Sequence, residues 1–440
     1  MAVDHLSSAS SPSGSRRSRG RPRAWFIVAM LCTFLLLNFA DKGIVGLAGV
    51  EMMRDLGIDA GQFGLVQSAF FWLYAVGAIA GGYLVGKVPA RWLLGGVALI
   101  WALSLLPMVW STSFAVLLVT RILLGFAEGP AAAMAFSVTH SWFPAEKRAL
   151  PTSIVAAGTS IGPPVAAPVI TAIILNFSWH AAFAIAGVVG LVWVLVWLIV
   201  GRDGPESVGD DGAAPTRLPE HVPYRRLLTS GTFIGIALLF IATFCTAAVK
   251  ISWLPLALRQ GAGYDATTTG WIIAVTYLCG AALMVVSGAV SRAMTKRGAS
   301  IRASRGLLSC ALVAAGGVAT AAWMVLDSGP LQVALLAIGV SLTVGAQGVS
   351  WTLISDVVPP RQRGTAMSVL TAVYSLGGIV APLMLGGLVG GAETPLAGYQ
   401  VGFAILGLIL VVTAVTAAWA IRPERNVAAF LTAAGQGAAR

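Results

Sequence analysis

Apolar windows of about 20 residues recur from one end of this sequence to the other, and that is the length a helix needs to cross the hydrocarbon core of a bilayer. Twelve are legible, at about 24–46, 61–85, 92–110, 113–137, 151–175, 179–201, 230–258, 268–291, 305–326, 330–355, 364–390 and 397–421; they are numbered below as spans 1 to 12. Of the 440 residues 57% are hydrophobic and only 10% are charged, with a mean hydropathy of +0.85. A soluble chain of this length needs far more charge. The pattern predicts an all-α membrane protein. Gly and Pro inside several windows fit that reading, because membrane helices tolerate them better than soluble ones do.

The net charge of +11 would fit a nucleic-acid partner if the charges were clustered for one. They are not. With the N-terminus placed inside, 23 of the 28 Lys and Arg fall on the inner side, Arg54 and Arg259 fall outside, and three lie within spans. This is the positive-inside bias, and it predicts both termini in the cytoplasm. Residues 1–23, rich in Ser, Gly, Pro and Arg, read as a disordered cytoplasmic tail able to touch anionic lipid. Arg16–Arg17 has the look of a twin-arginine signal, but the "SRGRPR" that follows is no apolar core, so no cleaved signal is expected. Cys32, Cys245, Cys279 and Cys310 all lie in spans with no ligand spacing. They read as apolar filler, with no disulfide, metal or cofactor implied.

A polar stretch at about 202–229 separates spans 6 and 7 and reads as a cytoplasmic linker. It divides a six-helix bundle at 24–201 from another at 230–421, with a cytoplasmic tail at 422–440. The halves resemble each other. "PAEKRALPTSIVAAGTSIG" from Pro144 and "PPRQRGTAMSVLTAVYSLG" from Pro359 align at an offset of 215, matching Arg148 with Arg363, Ser153 with Ser368, Ser160 with Ser375 and Gly162 with Gly377. Two parallel six-helix repeats are a transporter arrangement, with the substrate held between them near the midplane.

Five ionisable residues lie inside spans: Asp41, Lys42, Arg121, Glu128 and Lys250. Each is costly in hydrocarbon, so each must face the interior and find a partner or a wet cavity. In "RILLGFAEGPA" Arg121, Gly125 and Glu128 share one helix face. Seven residues separate the two charges by about 10 Å, too far for a close pair within the helix. Their predicted partners are Asp41 and Lys42 of span 1. The bland alternatives are a purely structural ion network, which is a poor stabiliser, and lysines 42 and 250 snorkelling to the membrane surface. Three cations against two acids point to an anionic substrate. Asp41 and Glu128 would neutralise the cations when ionised and release them when protonated, which makes the two acids candidates for proton coupling. Lys250, alone in the second half, would hold the far end of the substrate. Gln347 is a candidate donor to a hydroxyl or carboxylate. Trp351 and Tyr374 fit packing as well as binding, and His140 and His180 read as interfacial.

The chain resembles the major facilitator superfamily over about residues 24–421, and within it the anion:cation symporters, which include sugar-acid, phthalate, tartrate and sialin-like carriers. The resemblance is carried by "NFADKGIVGLAG" (38–49), "SAFFWLYAVGAIAGGYL" (68–84), "RILLGFAEGPA" (121–131), "WFPAEKRA" (142–149), "WHAAFAIAGVVGLVWVLVWLIVGRDGPES" (179–207), "SWLP" (252–255) and "SDVVPPRQRGTA" (355–366). It implies a proton-coupled importer of a small organic anion working by alternating access, monomeric, in the cytoplasmic membrane, and not an enzyme. It adds Tyr74 to the substrate contacts. It also supports Lys42, although relatives of this type commonly have Asp-Arg where Asp41-Lys42 stands, and a lysine offers a point charge instead of a planar fork. Three departures stand out. Gly86 and Ser291 occupy places where the superfamily usually has a loop Asp, so no gating ion pairs carry over there. Thr371 stands where an Asn is often found. "GTSIGPPVAA" (158–167) partly matches an element of proton antiporters. That last match keeps an exporter of hydrophobic compounds open as an alternative, with a non-transporting sensor as another.

Overall fold

The computed structural model describes residues 16–84, 87–110, 113–144, 147–204, 221–359 and 362–438. The expected tail up to residue 15, Gly86 and residues 205–220 of the linker lie outside them. Among the described residues twelve helices are long and apolar enough to cross a membrane. In order the first six are Pro22–Leu47, Ala60–Leu84, Arg91–Val109, Phe114–Trp142, Leu150–Asn176 and Trp179–Val200. The second six are Gly231–Ser252, Ala266–Lys296, Arg302–Val325, Pro330–Val357, Arg363–Gly390 and Pro395–Ala420. The first helix starts at Arg16, before the boundary expected at residue 24. After span 12 the chain forms a further helix, Pro423–Ala438. It is tied down by Asn426, whose Oδ1 accepts from the Thr232 hydroxyl at 2.5 Å, and by Glu424, which accepts from the Arg302 amide at 2.9 Å.

The two halves are built alike. In the first, span 1 lies along span 5, span 2 along span 4 and span 3 along span 6. In the second, spans 7 and 11, 8 and 10, and 9 and 12 make the same pairs. The sequence repeat becomes a repeat of contacts. Arg148 Nε donates to the Phe143 carbonyl at 3.0 Å, and Arg363 Nε donates to the Val358 carbonyl at 3.2 Å. Gly162 lets span 5 reach the Leu36 carbonyl of span 1, and Gly377 lets span 11 reach the Ile241 carbonyl of span 7. Without a hydrophobic force between helices in lipid, such close backbone approach through small residues is what holds them together.

Several spans are broken. Span 1 is interrupted between Asp41 and Ile44 by a turn at Lys42 and Gly43. Span 2 breaks at Leu73, and span 4 breaks at Gly129 and Pro130, where proline supplies no amide to continue the ladder. The helix of span 7 ends at Ser252, and a short turn containing Pro255 follows Trp253.

The halves meet through spans 2 and 11 and through spans 5 and 8. They are closed at the end that carries segments 48–59 and 253–265. Arg259 donates two parallel bonds to Glu51 at 2.7 and 2.8 Å. Phe63 meets Trp253 edge-on with centroids 5.2 Å apart. Gly64 faces Gly386 so closely that a Cβ on Gly64 would sit 2.7 Å from the Pro382 carbonyl. Nearby, Asp55 accepts from the Trp179 indole at 3.0 Å and from Arg54 at 2.9 Å, and these two donors hold its carboxyl below its ordinary value.

Gly125 of span 4 meets the Phe70 carbonyl of span 2, with no room for a Cβ, whereas nothing lies within 4 Å of a Cβ added to Gly82. Gly125→Ala is expected to cost about 1–3 kcal/mol by overpacking, seen as a lower melting temperature in detergent. Gly82→Ala serves as the control and is expected to leave it unchanged or slightly raised. Equal melting temperatures in the two variants would contradict this packing.

Candidate functional site

Four of the five charged residues singled out in the sequence lie on spans 1 and 4 of the first half, at or near their breaks. Lys42, on the turn that interrupts span 1, places its Nζ 2.7 Å from Glu128 Oε2, the last helical residue before the break in span 4. The glutamate side chain is fully buried and the lysine side chain is 11% exposed. Lys42 also donates to Asn38 Oδ1 at 3.2 Å and lies 3.9 Å from the centroid of the Phe39 ring. Its ammonium is thus turned inward, so it does not snorkel. Asp41 is 2% exposed and points the other way, accepting from the Trp101 indole of span 3 at 2.8 Å through Oδ2. Its second oxygen has no partner among the described residues.

Arg121 is 3% exposed and sits two turns before Glu128. It was expected to pair with span 1. No carboxylate reaches it within ion-pair distance among the described residues, because Asp41 is turned to Trp101 and Glu128 is taken by Lys42. Asp41 and Glu128 are within electrostatic reach of it, and its guanidinium carbon lies 6.0 Å from the centroid of the Phe183 ring. Its Nε and Glu128 Oε1 have no hydrogen-bond partner among the described residues. Unmet polar atoms in a buried site call for water, a proton or a ligand.

The spacing of "RILLGFAEGP" has a structural reason beyond the two charges. Gly125 and Gly129 admit the carbonyls of Phe70 and Tyr74, which lock span 4 against span 2 and fix Glu128 between them. Tyr74 begins the second segment of span 2, beside Phe70 and Phe71. Phe71 reaches Phe244 of span 7 edge-on at 5.4 Å, so this aromatic layer joins the halves. Tyr374 packs on Phe244 at 4.6 Å and on Phe240 at 5.8 Å, beside Thr371 and within electrostatic reach of Lys42 and Tyr74. The Thr371 hydroxyl donates to the Met367 carbonyl at 2.9 Å. Trp351 packs on Phe240, and His180 stacks on Trp179. Gln347 is half-buried on span 10, and no hydrogen bond among the described residues ties it to the charged cluster.

Lys250 stands apart. It is 6% exposed, and its Nζ lies 3.6 Å from the centroid of the Tyr277 ring of span 8. With Phe39, Gly43, Pro163 and Ala167 the two residues line a cavity of about 20 Å³ between the halves.

Among the groups that position the charges, Asn38 was within reach of sequence reasoning, since it lies four residues before Lys42 on the same face. Trp101 was not: nothing local marks which of the 14 tryptophans meets an acid 60 residues away.

A polar cluster buried at the breaks of paired six-helix repeats defines a membrane transport protein. The Major Facilitator Superfamily model matches residues 30–382, and the chain belongs to that superfamily. It is a multi-pass membrane transporter and not an enzyme. It is similar to the probable galactarate/D-glucarate transporter GudP of Bacillus subtilis, 25% identical over 83% of this chain and 85% of that protein. It is similar also to the D-galactonate transporter of Escherichia coli, 25% identical over 84% and 90%, and to the probable sulfoacetate transporter SauU of Cupriavidus necator, 25% identical over 87% and 90%. Among solved structures, a bacterial homolog of the human lysosomal transporter Spinster, inward-facing and occupied, superposes with a TM-score of 0.79 at 18% identity, covering 92% of this chain and 98% of that one. A D-xylose-proton symporter does so with 0.72 at 16%, covering 91% and 99%.

Trp101 is the single donor to the Asp41 side chain among the described residues. Trp101→Phe is expected to cost on the order of 1–3 kcal/mol by leaving a buried acceptor unmet. In Asp41→Ala, which has no acceptor to leave unmet, the same change should cost much less, so a double-mutant cycle on thermal stability should show clear coupling. Strict additivity would mean that the bond contributes nothing.

Proposed function

We propose that this protein is a secondary transporter that brings a small organic acid, of the sugar-acid type, into the cell together with protons. The observation that carries the reading is the division of charge in the buried cluster. Glu128 neutralises Lys42, while Arg121 has acids within electrostatic reach but none paired with it among the described residues. A carboxylate substrate is the natural complement of that guanidinium, whose planar fork matches two carboxylate oxygens. The names of the relatives support an acid of this kind.

Coupling follows from the same arrangement. When Glu128 takes a proton, its charge no longer satisfies Lys42, and the freed ammonium joins Arg121 in holding the substrate carboxylate. When the proton leaves, Glu128 reclaims Lys42 and the anion loses one of its two cations. Asp41 contributes a second exchangeable site beside Arg121, steadied by Trp101. Tyr74, Thr371 and Tyr374 supply hydroxyls toward the body of the substrate, and Gln347 is a further donor from the second half. Alternating access requires the halves to rock about this centre. The positive-inside bias puts both termini in the cytoplasm, so the end closed by Glu51 and Arg259 faces outward. The protein acts as a monomer in the cytoplasmic membrane.

The test is uptake of labelled galactarate or galactonate by proteoliposomes under an imposed acid-outside gradient. Accumulation above equilibrium is expected, and Asp41→Asn with Glu128→Gln should abolish it while leaving exchange across the membrane. Uphill accumulation retained in the double variant would remove these acids from coupling. Export driven by the opposite gradient would favour an antiporter.

A second expectation concerns Arg121. Arg121→Lys should reduce uptake at least about tenfold, because the bidentate contact is lost while the charge stays. Normal uptake by both Arg121→Lys and Arg121→Gln would exclude it as the carboxylate anchor.

A further inference from the structure

We infer that Lys250 is a second anion-binding centre, placed in the opposite half from Arg121, and that the preferred substrates are diacids whose second carboxylate it takes. The inference rests on the organic-acid reading above and extends it to the class of acid. Four observations converge on it. First, Lys250 is 6% exposed, its Nζ lies over the Tyr277 ring, and both residues line the cavity between the halves. A snorkelling lysine would instead carry its head group to the membrane surface. Second, no carboxylate pairs with it among the described residues. The acids inside the spans are engaged elsewhere, Glu128 by Lys42, Asp41 by Trp101 and Asp356 by Arg305. Third, a ring face offsets only part of the cost of desolvating an ammonium, so the site is incomplete without an anion.

The fourth observation is geometric. Phe39 carries the Lys42 ammonium 3.9 Å from its ring centroid and also lines the Lys250 cavity. Two cationic centres therefore border one aromatic residue, one belonging to the first half and one to the second. The cavity of about 20 Å³ admits little more than a water in this closed arrangement. It is a socket for a head group and not for a whole substrate. It lies toward the closed end, three residues before the break at Trp253. A two-headed anion held by Arg121 and Lys42 at one end and by Lys250 at the other would bridge the two halves. A monoacid would engage only the first half. The second anchor thus sets specificity and also links substrate occupancy to the relative position of the halves.

The experiment uses matched pairs of acids that differ at one end: galactarate with galactonate, and succinate with butyrate. Affinities are taken from the thermal stabilisation of the purified full-length protein, for wild type, Lys250→Met and Lys250→Arg. Wild type is expected to bind the diacid at least about tenfold more tightly in one pair or both. In Lys250→Met that ratio should fall to near one while the affinity for the monoacid is unchanged, and Lys250→Arg should keep most of the preference. Two results would overturn the inference while leaving the organic-acid reading intact. One is wild type binding both members of each pair equally. The other is a diacid preference that survives Lys250→Met. Binding of no acid by wild type would remove the reading and the inference together. Should Lys250→Met not be stable enough to purify, Lys250→Gln keeps the side chain polar and carries the same expectations.

Discussion

A charge inside hydrocarbon has to be answered by a group on another helix, and here that requirement is met by the pair between Lys42 and Glu128. It joins the turn that interrupts span 1 to the last residue before the break in span 4, at 2.7 Å and with the glutamate side chain fully buried. A buried pair of this kind is a weak source of stability, because desolvation of both ions offsets much of their attraction. In the transport cycle proposed above, its value lies in being breakable by a single proton. The surrounding backbone is fixed close by: the carbonyl contacts at Gly125 and Gly129 hold span 4 in register against span 2.

The rest of the architecture packs two similar halves around this centre. Each half is held together by close backbone contacts repeated at equivalent positions, Gly162 on Leu36 and Gly377 on Ile241. The halves touch through spans 2 and 11 and spans 5 and 8. At one end these contacts are reinforced by the bidentate pair between Arg259 and Glu51 and by Phe63 against Trp253. Rigid halves joined by contacts that can be exchanged are the physical requirement for rocking, since packed interfaces switch between arrangements instead of deforming smoothly.

Much of this was legible in the sequence because membrane constraints are local. The twelve spans follow from apolar length, and the kinship of the halves follows from the match of Pro144–Gly162 with Pro359–Gly377. The involvement of Asp41, Lys42, Arg121 and Glu128 follows from the rarity of charge in hydrocarbon. What was not legible is who touches whom. Periodicity put Arg121 and Glu128 on one face, but it could not say that Lys42 takes Glu128 while Asp41 turns to Trp101. That choice depends on which way each side chain leaves the turn at Lys42 and Gly43, and no local pattern encodes it. The helix breaks were hidden for a related reason. Gly129 and Pro130 mark one of them, but Leu73 carries no such signal. The snorkelling alternative for Lys250 was likewise undecidable until its ammonium was placed over Tyr277.

The central claim is that substrate and proton move together through one buried cluster. Its most direct test is internal pH in proteoliposomes loaded with pyranine, with no gradient imposed, when galactarate or galactonate is added outside. The account predicts internal acidification that requires the substrate, saturates with it, and disappears when Asp41 and Glu128 are both replaced by their amides. Entry of the acid into the vesicles with no change in internal pH would contradict it.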